Sequence, residues 1–123
     1  MSIAAEPTIY QAVGGDPGLA AVVDDLYVRI LRDPELSGFF AGANMARLKG
    51  RQVEFLAAAL GGPQPYRGTS IRDVHRGKGI GQEHFDLVAG HLVAALSEAG
   101  VPDHTVAQIL TVIAPLAGQI VSR

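Results

Sequence analysis

Apolar side chains recur every three or four residues through most of the chain, which is the spacing of an amphipathic helix. The clearest example is the stretch after Asp16-Pro17, where the apolar positions fall on one helical face and Tyr27 lies on that face. No segment alternates apolar and polar residues as a half-buried strand does. The pattern predicts an all-α fold of about five substantial helices separated by glycine and proline breaks.

Local signals place the ends of these helices. Asp16 and Asp103 are predicted N-caps, and Pro17 suits the first turn that follows Asp16. Pro115 is expected to kink the last helix near its end. Residues 1–8 carry little pattern and are expected to form an N-terminal tail, so residues 9–123 form one domain.

The stretch from Met45 to Gly79 contains two residues that packing alone explains poorly. Gln52 lies in the middle of an apolar helix face, and His75 closes a short helix whose other inward residues are expected to be Ile71 and Val74. An amide and an imidazole facing one apolar space suggest a molecule bound between them. Taken singly, each has a simpler explanation: Gln52 bonded to backbone and His75 on the surface.

Composition narrows the classes of function. Apolar residues make up 48% of the 123 residues and charged residues 18%, which excludes a disordered chain. A net charge of −2 argues against nucleic acid as a partner. The absence of cysteine excludes disulfides, thiolate nucleophiles, iron–sulfur clusters and cysteine-based zinc sites. No apolar run is long enough to span a membrane and no signal peptide is evident, so we expect a cytoplasmic protein.

The basic residues are concentrated in one segment. Seven of the ten lysines and arginines lie between residues 47 and 78, where only Glu54 and Asp73 oppose them, giving a local charge of +5. Two interpretations stay open: a solvated face, or a rim that neutralises an anionic ligand. The seven are Arg47, Lys49, Arg51, Arg67, Arg72, Arg76 and Lys78.

An ordered set of motifs resembles a known family over nearly the whole chain, from about Ile9 to Val121. The chain resembles the group I truncated haemoglobins, small bacterial globins with a two-over-two helical sandwich. The motifs are Gly14-Gly15, Val23-Asp-Asp-Leu-Tyr27, Phe39-Phe40, Arg47-Leu-Lys-Gly-Arg-Gln52, Gly61-Gly-Pro63 with Tyr66 and Gly68, and Val74-His-Arg-Gly77.

The resemblance implies a role for each matching residue. His75 would be the proximal haem ligand, Tyr27 and Gln52 the distal pair that hydrogen-bonds the bound gas, and Arg51 the partner of a haem propionate. Leu48 stands where many other globins have a distal histidine, and it cannot form such a hydrogen bond. The remaining residues expected to contact the cofactor are Phe40, Phe55, Tyr66, Ile71, Ile80, Phe85 and Val88.

The resemblance also implies a function. The expected cofactor is haem b, held noncovalently because the chain lacks cysteine, and the expected ligands are O₂, NO and CO. The expected reaction is oxidation of nitric oxide to nitrate, which requires an electron-donating reductase. A non-catalytic carrier, a haem-based sensor acting through a partner, and a haem-free helical module are the alternatives. We expect a monomer or weak dimer.

The match has one notable departure in the expected ligand path. Leu56 replaces a phenylalanine that is proposed to gate an apolar tunnel in some relatives. A gated tunnel is therefore not carried over to this chain.

Overall fold

The computed structural model of the chain describes residues 7–122, and every regular element in that range is helical. The helices are α1 (Ile9–Val13), α2 (Gly15–Arg32), α3 (Met45–Ala59), α4 (Ile71–His75), α5 (Gln82–Glu98), α6 (Asp103–Ile113) and α7 (Ala117–Ile120). Short 3₁₀ turns cover Ser37–Phe40 and Ala114–Leu116. The all-α prediction is confirmed.

The four long helices form two layers of two. Helix α2 packs against both α3 and α5, and α5 packs against α6. The core between them is aliphatic, because each long helix turns one apolar face inward. Its most deeply buried large side chains are Leu19, Val22, Val23, Ile30, Leu36, Leu96 and Ile109. This arrangement is the expected two-over-two sandwich.

Helix α2 begins two residues earlier than the sequence predicted, and the predicted N-cap at Asp16 is wrong. Gly14 precedes the helix with a φ of 105°, and α2 already includes Asp16 in its first turn. Asp16 is not in the cap position because it lies within the helix, and its carboxylate accepts a hydrogen bond from the Tyr10 hydroxyl at 2.8 Å. A contact between α1 and α2 therefore replaces the local cap.

Two glycines end α3 and allow α1 to dock on its last turn. Gly61 has a φ of 92°, which favours glycine, and a Cβ on Gly62 would lie 2.7 Å from the Ala57 carbonyl oxygen. With this close approach, the Tyr10 backbone N–H donates to the Leu60 carbonyl at 2.8 Å. The first and third helices are thus joined by a backbone hydrogen bond.

The last predicted helix is interrupted, as Pro115 indicated. Helix α6 ends at Ile113, a 3₁₀ turn contains Pro115, and α7 follows. Asp103 is the first residue of α6, and Pro102 takes the N-cap position, so the predicted cap was displaced by one residue. His104 is exposed, as expected for this turn.

The ends of the described chain bear on two further predictions. Most of the expected tail, residues 1–6, lies outside the described residues. Thr8 is structured, because its hydroxyl accepts from the Gln11 N–H and begins α1. Within residues 7–122, no helix is long and apolar enough to cross a bilayer.

Candidate functional site

Tyr27 supplies the first unusual feature of the candidate site. Its side chain lies on the buried face of α2 with only 6% of its surface exposed, and burial raises the pKa of its hydroxyl to about 12. The hydroxyl has no hydrogen-bond partner within residues 7–122. Every fully buried side-chain nitrogen or oxygen in this range has a hydrogen-bond partner. The Tyr27 hydroxyl has none, so it is not fully buried and opens onto accessible space.

One aromatic ring contacts Tyr27, and the other residues predicted for this side of the site lie on α3. The ring of Phe40 meets the Tyr27 ring edge-on, with centroids 5.6 Å apart. Leu48 and Phe55 on α3 are half-buried and pack against the core. Gln52 is half-buried on α3, and its amide has no partner within the described residues. We call Tyr27, Phe40, Leu48, Gln52 and Phe55 the distal wall.

His75 is held in one defined ring orientation at the end of α4. Its Nδ1 lies 2.7 Å from the carbonyl oxygen of Ile71, one helical turn earlier. A carbonyl can only accept, so Nδ1 carries the proton and Nε2 is left with a free lone pair. A backbone carbonyl fixing one ring nitrogen so that the other can ligate is the usual arrangement of a metal-binding histidine.

Helix α4 is short and locally supported. The Ser70 hydroxyl accepts from the Asp73 N–H at 3.2 Å to begin the helix, and α4 packs mainly against α7. Val74 was predicted to face inward, but it is 41% exposed, so this prediction was wrong. In a helix of five residues, Ile71 and His75 define the inward face and Val74 lies off it.

The remaining residues predicted to contact a cofactor are all half-buried, and they come from three separate segments. Tyr66 places its ring edge-on to Phe55, with centroids 5.4 Å apart. The Ile80 carbonyl accepts from the Ser122 N–H at 2.9 Å, which ties the loop after α4 to the C-terminal segment. Phe85 and Val88 lie on the first half of α5, before the buried Leu92.

The described side chains form two separate sets. No hydrogen bond or ring contact within residues 7–122 joins the distal wall to Ile71, His75 or Ile80, which we call the proximal wall. The proximal wall also stands apart from other metal-binding groups, because the described residues contain no cluster of three or more His, Asp or Glu that could hold a metal. Each wall therefore presents its own polar groups: a hydroxyl and an amide on one, an imidazole nitrogen on the other.

Three arginines of the basic segment line a recess on α3 and the loop that follows it. Its volume is about 350 Å³, and it is lined by Arg47, Gly50, Arg51, Glu54, Arg67 and Gly68. Arg51, predicted to pair with an anionic group of the cofactor, is exposed and has no ion-pair partner among the described residues.

Sequence analysis missed the groups that orient the site residues. The Ile71 carbonyl fixes the tautomer of His75, and the Tyr66 hydroxyl donates to the Thr69 carbonyl at 2.7 Å. The helical spacing of four between Ile71 and His75 could have indicated the first bond. Nothing in the sequence pattern indicates the second, which depends on the path of an irregular loop.

Comparison with known proteins identifies the family of the chain. The sequence matches the bacterial-like globin family over residues 8–122. It is 60% identical over 117 residues to the group 1 truncated hemoglobin GlbN of Mycolicibacterium paratuberculosis, covering 94% of this chain and 86% of that one.

Solved structures show the same fold. The truncated hemoglobin of Tetrahymena pyriformis in its Fe(III) form superimposes with a TM-score of 0.91 at 31% identity, covering 95% of this chain and all of the other. The 2/2 hemoglobin of Synechococcus sp. PCC 7002, in the cyanomet state with covalently attached heme, gives 0.89 at 27% identity with the same coverage. The chain therefore belongs to the group 1 truncated haemoglobins, a family of haem proteins that bind small gas molecules.

Proposed function

We propose that this chain binds haem b noncovalently through Nε2 of His75, holds O₂ beside Tyr27 and Gln52, and oxidises nitric oxide to nitrate. The observation that carries the proposal is the Tyr27 hydroxyl, which lies on a buried ring and has no partner among residues 7–122. Because this hydroxyl opens onto accessible space and no group in the described part of the protein accepts its proton, it is free to donate to a bound ligand.

Haem fits the residues of the two walls. It is a flat apolar ring with carboxylates at one edge, so it needs apolar walls, one axial nitrogen donor and cations at the rim. The half-buried apolar residues supply the walls, His75 supplies a nitrogen in the ligating tautomer, and Arg51 supplies a cation.

Noncovalent attachment is proposed because the chain contains no cysteine for a thioether bond. The Synechococcus relative shows that covalent attachment occurs among similar proteins, so the linkage needs its own test. Extraction with acidified butanone should remove all the haem from this protein. A chain that retains haem after extraction would contradict this part of the proposal.

When bound, haem supplies the iron on which O₂ is held and combined with nitric oxide to give nitrate, losing one electron in each cycle. The chain contributes orientation and hydrogen bonding. The Tyr27 hydroxyl, whose pKa of about 12 keeps it protonated at neutral pH, donates to a ligand beside the distal wall. Gln52 supports that ligand with its amide, and the apolar Leu48 and Phe55 exclude water from it.

Nitrate formation separates this function from a carrier or a sensor. The oxygenated protein is mixed with one equivalent of nitric oxide, and nitrate is measured. A yield close to one nitrate per nitric oxide supports the dioxygenase, and tight O₂ binding without nitrate supports the carrier or sensor. The cytoplasmic location and the monomer or weak dimer expected from the sequence stay predictions.

A further inference from the structure

The recess on α3 and the loop after it is lined by three cations and one carboxylate. Arg47, Arg51 and Arg67 all line it, and none of them forms an ion pair within residues 7–122. Elsewhere in the described chain, Arg29 pairs with Asp25 at 3.1 Å, Lys49 with Asp24 at 3.4 Å and Arg76 with Asp73 at 2.8 Å, while Arg32, Arg72 and Lys78 form no ion pair. We call Arg47, Arg51 and Arg67 the arginine recess.

The arginine recess lies at the rim of the candidate haem site. On α3, Arg51 directly precedes Gln52, and Arg47 directly precedes Leu48. Arg67 directly follows Tyr66, whose ring contacts Phe55. Each cation is therefore the immediate chain neighbour of a residue assigned to the cofactor, and a molecule seated in the recess would lie close to it.

The loop that carries Arg67 is closed by its own contacts. The Tyr66 hydroxyl donates to the Thr69 carbonyl, so the ends of this four-residue loop are joined. A Cβ on Gly68 would collide with the end of the Tyr66 side chain, so glycine at residue 68 leaves room for the Tyr66 hydroxyl inside this loop. Arg67 is held exposed at the tip of this loop.

Charge is unevenly distributed along the chain, and the arginine recess lies within the basic segment, of which Arg72 and Arg76 line a separate recess beside His75. Residues 47–78 carry seven cations against two carboxylates, a net +5, while the rest of the chain carries three cations against ten carboxylates, a net −7. An acidic partner is repelled by most of the surface and attracted by one segment. Such an asymmetric field steers the partner to one orientation and raises its association rate.

We infer that the arginine recess is the docking site for an acidic one-electron donor protein that reduces the haem iron after each turnover. The inference rests on the proposed function, since nitric oxide oxidation consumes one electron from the iron per cycle. An extended acidic surface fits the recess better than a small anion does. The Glu54 carboxylate lies among the three arginines and would repel an anion bound at their centre, whereas a protein surface can contact Arg47 and Arg67 around it.

Stopped-flow reduction of the ferric holoprotein under CO tests the docking site. The donor is reduced flavodoxin, a small acidic flavoprotein, and the ferrous protein is trapped as its CO complex. The variant Arg47→Gln/Arg67→Gln removes two positive charges from the recess. Arg32→Glu, on the exposed end of α2, changes the net charge by the same two units elsewhere. Arg51 is left intact because it is assigned to haem.

We expect the bimolecular rate of the double variant to fall about tenfold at 10 mM ionic strength, and that of Arg32→Glu to change less than about twofold. The difference should vanish at 1 M salt, where the screening length is about 3 Å. With reduced methyl viologen, a small cation, the double variant should react no more slowly than wild type.

Three results would overturn the inference: equal rates for the double variant and Arg32→Glu, a wild-type rate independent of salt, or an equal loss with both donors. Because no nitric oxide is present, a protein that forms no nitrate can still show recess-dependent reduction. A protein that does form nitrate can also show no recess-dependent reduction, so each proposal can be contradicted without the other.

Discussion

The two walls of the site are built in opposite ways. Tyr27 lies in the middle of the 18-residue α2, which packs on both α3 and α5 and contributes most of the deeply buried core. His75 ends a five-residue helix that contains no buried residue and is supported by a serine cap and by α7. The distal wall is fixed by the global fold, and the proximal wall by a few local bonds. Substitutions in the distal wall should therefore alter the binding and release of O₂, and substitutions in the proximal wall should alter the rate of haem release.

Replacing His75 by alanine should have the largest effect. Without the axial imidazole, haem release should accelerate by more than about a hundredfold, since even indirect supports of a metal ligand contribute 10–100-fold. Transfer of haem to apomyoglobin measures the rate, and added imidazole should restore the ferrous–CO spectrum. His104→Ala is the matched control, because His104 is exposed on α6. Normal haem retention in His75→Ala would remove His75 from the site.

Tyr27→Phe should speed O₂ release about ten- to a hundredfold and leave haem release unchanged. A hydrogen bond to a charged acceptor contributes about 1.5–3 kcal/mol, and about 1.4 kcal/mol is a factor of ten. Because the pKa of Tyr27 is about 12, O₂ release by the wild type should also be constant from neutral pH up to about pH 11.

The control for Tyr27 is Tyr66→Phe. Its hydroxyl donates to the Thr69 carbonyl, so its loss should leave O₂ release within about twofold of wild type. Flash photolysis with O₂ and CO measures both variants. An unchanged O₂ off-rate in Tyr27→Phe would show that the buried hydroxyl is not the donor.

Ser70→Ala should destabilise the proximal wall to a smaller extent than His75→Ala does. Loss of an N-cap costs about 1 kcal/mol, which corresponds to roughly fivefold faster haem release with O₂ release unchanged. Asn44→Ala removes the cap of α3, where the side chain accepts from the Arg47 N–H at 3.1 Å. It should lower the free energy of unfolding without a comparable effect on haem release. Equal haem release in both variants would refute the difference between the walls.

The smallest effect is expected at a contact that belongs to neither wall. Nε2 of His91 on α5 lies 2.8 Å from the Asp33 carboxylate at the end of α2. The side-chain hydrogen bond from His91 is the largest cause holding the pKa of Asp33 below its ordinary value of 3.8. The folded protein therefore binds fewer protons than the unfolded chain, so this contribution is present above pH 3.8 and is lost as the pH falls through the lower folded value.

Chemical denaturation of wild type and His91→Gln between pH 3 and 6 measures this contribution. We expect wild type to be slightly more stable at pH 5 to 6 and the difference to shrink below pH 4. A difference that grows on acidification would contradict the assignment.

Much of the fold was predictable because its signals are local. The periodicity of α2 and α3, the glycines after Leu60 and the proline in the last helix each act within a few residues, and the structure agrees with them. The predicted caps at Asp16 and Asp103 failed. At Asp16 the reason is that Gly14, with its positive φ, allows the helix to begin two residues earlier.

The sequence indicated candidate site residues where a polar residue type stands out on an apolar helix face. Tyr27, Gln52 and His75 stand out as polar groups on apolar faces, and the structure leaves the first two without partners. The inward orientation of Val74 was wrong, because five residues are too few for a helical pattern to define a face. The pairing of Asp33 with His91 joins residues 58 positions apart, and no local pattern predicts it.

The closed loop at Gly68 affects which substitutions this protein can accept during evolution. A side chain at residue 68 would require the end of the Tyr66 ring to move and would disturb its hydrogen bond to Thr69. Selection for a different partner could therefore adjust charge at residues 47, 54 and 67, which are exposed, more readily than it could replace Gly68. In a library randomised at these four positions, we expect surviving clones to vary at three of them and to retain glycine at the fourth.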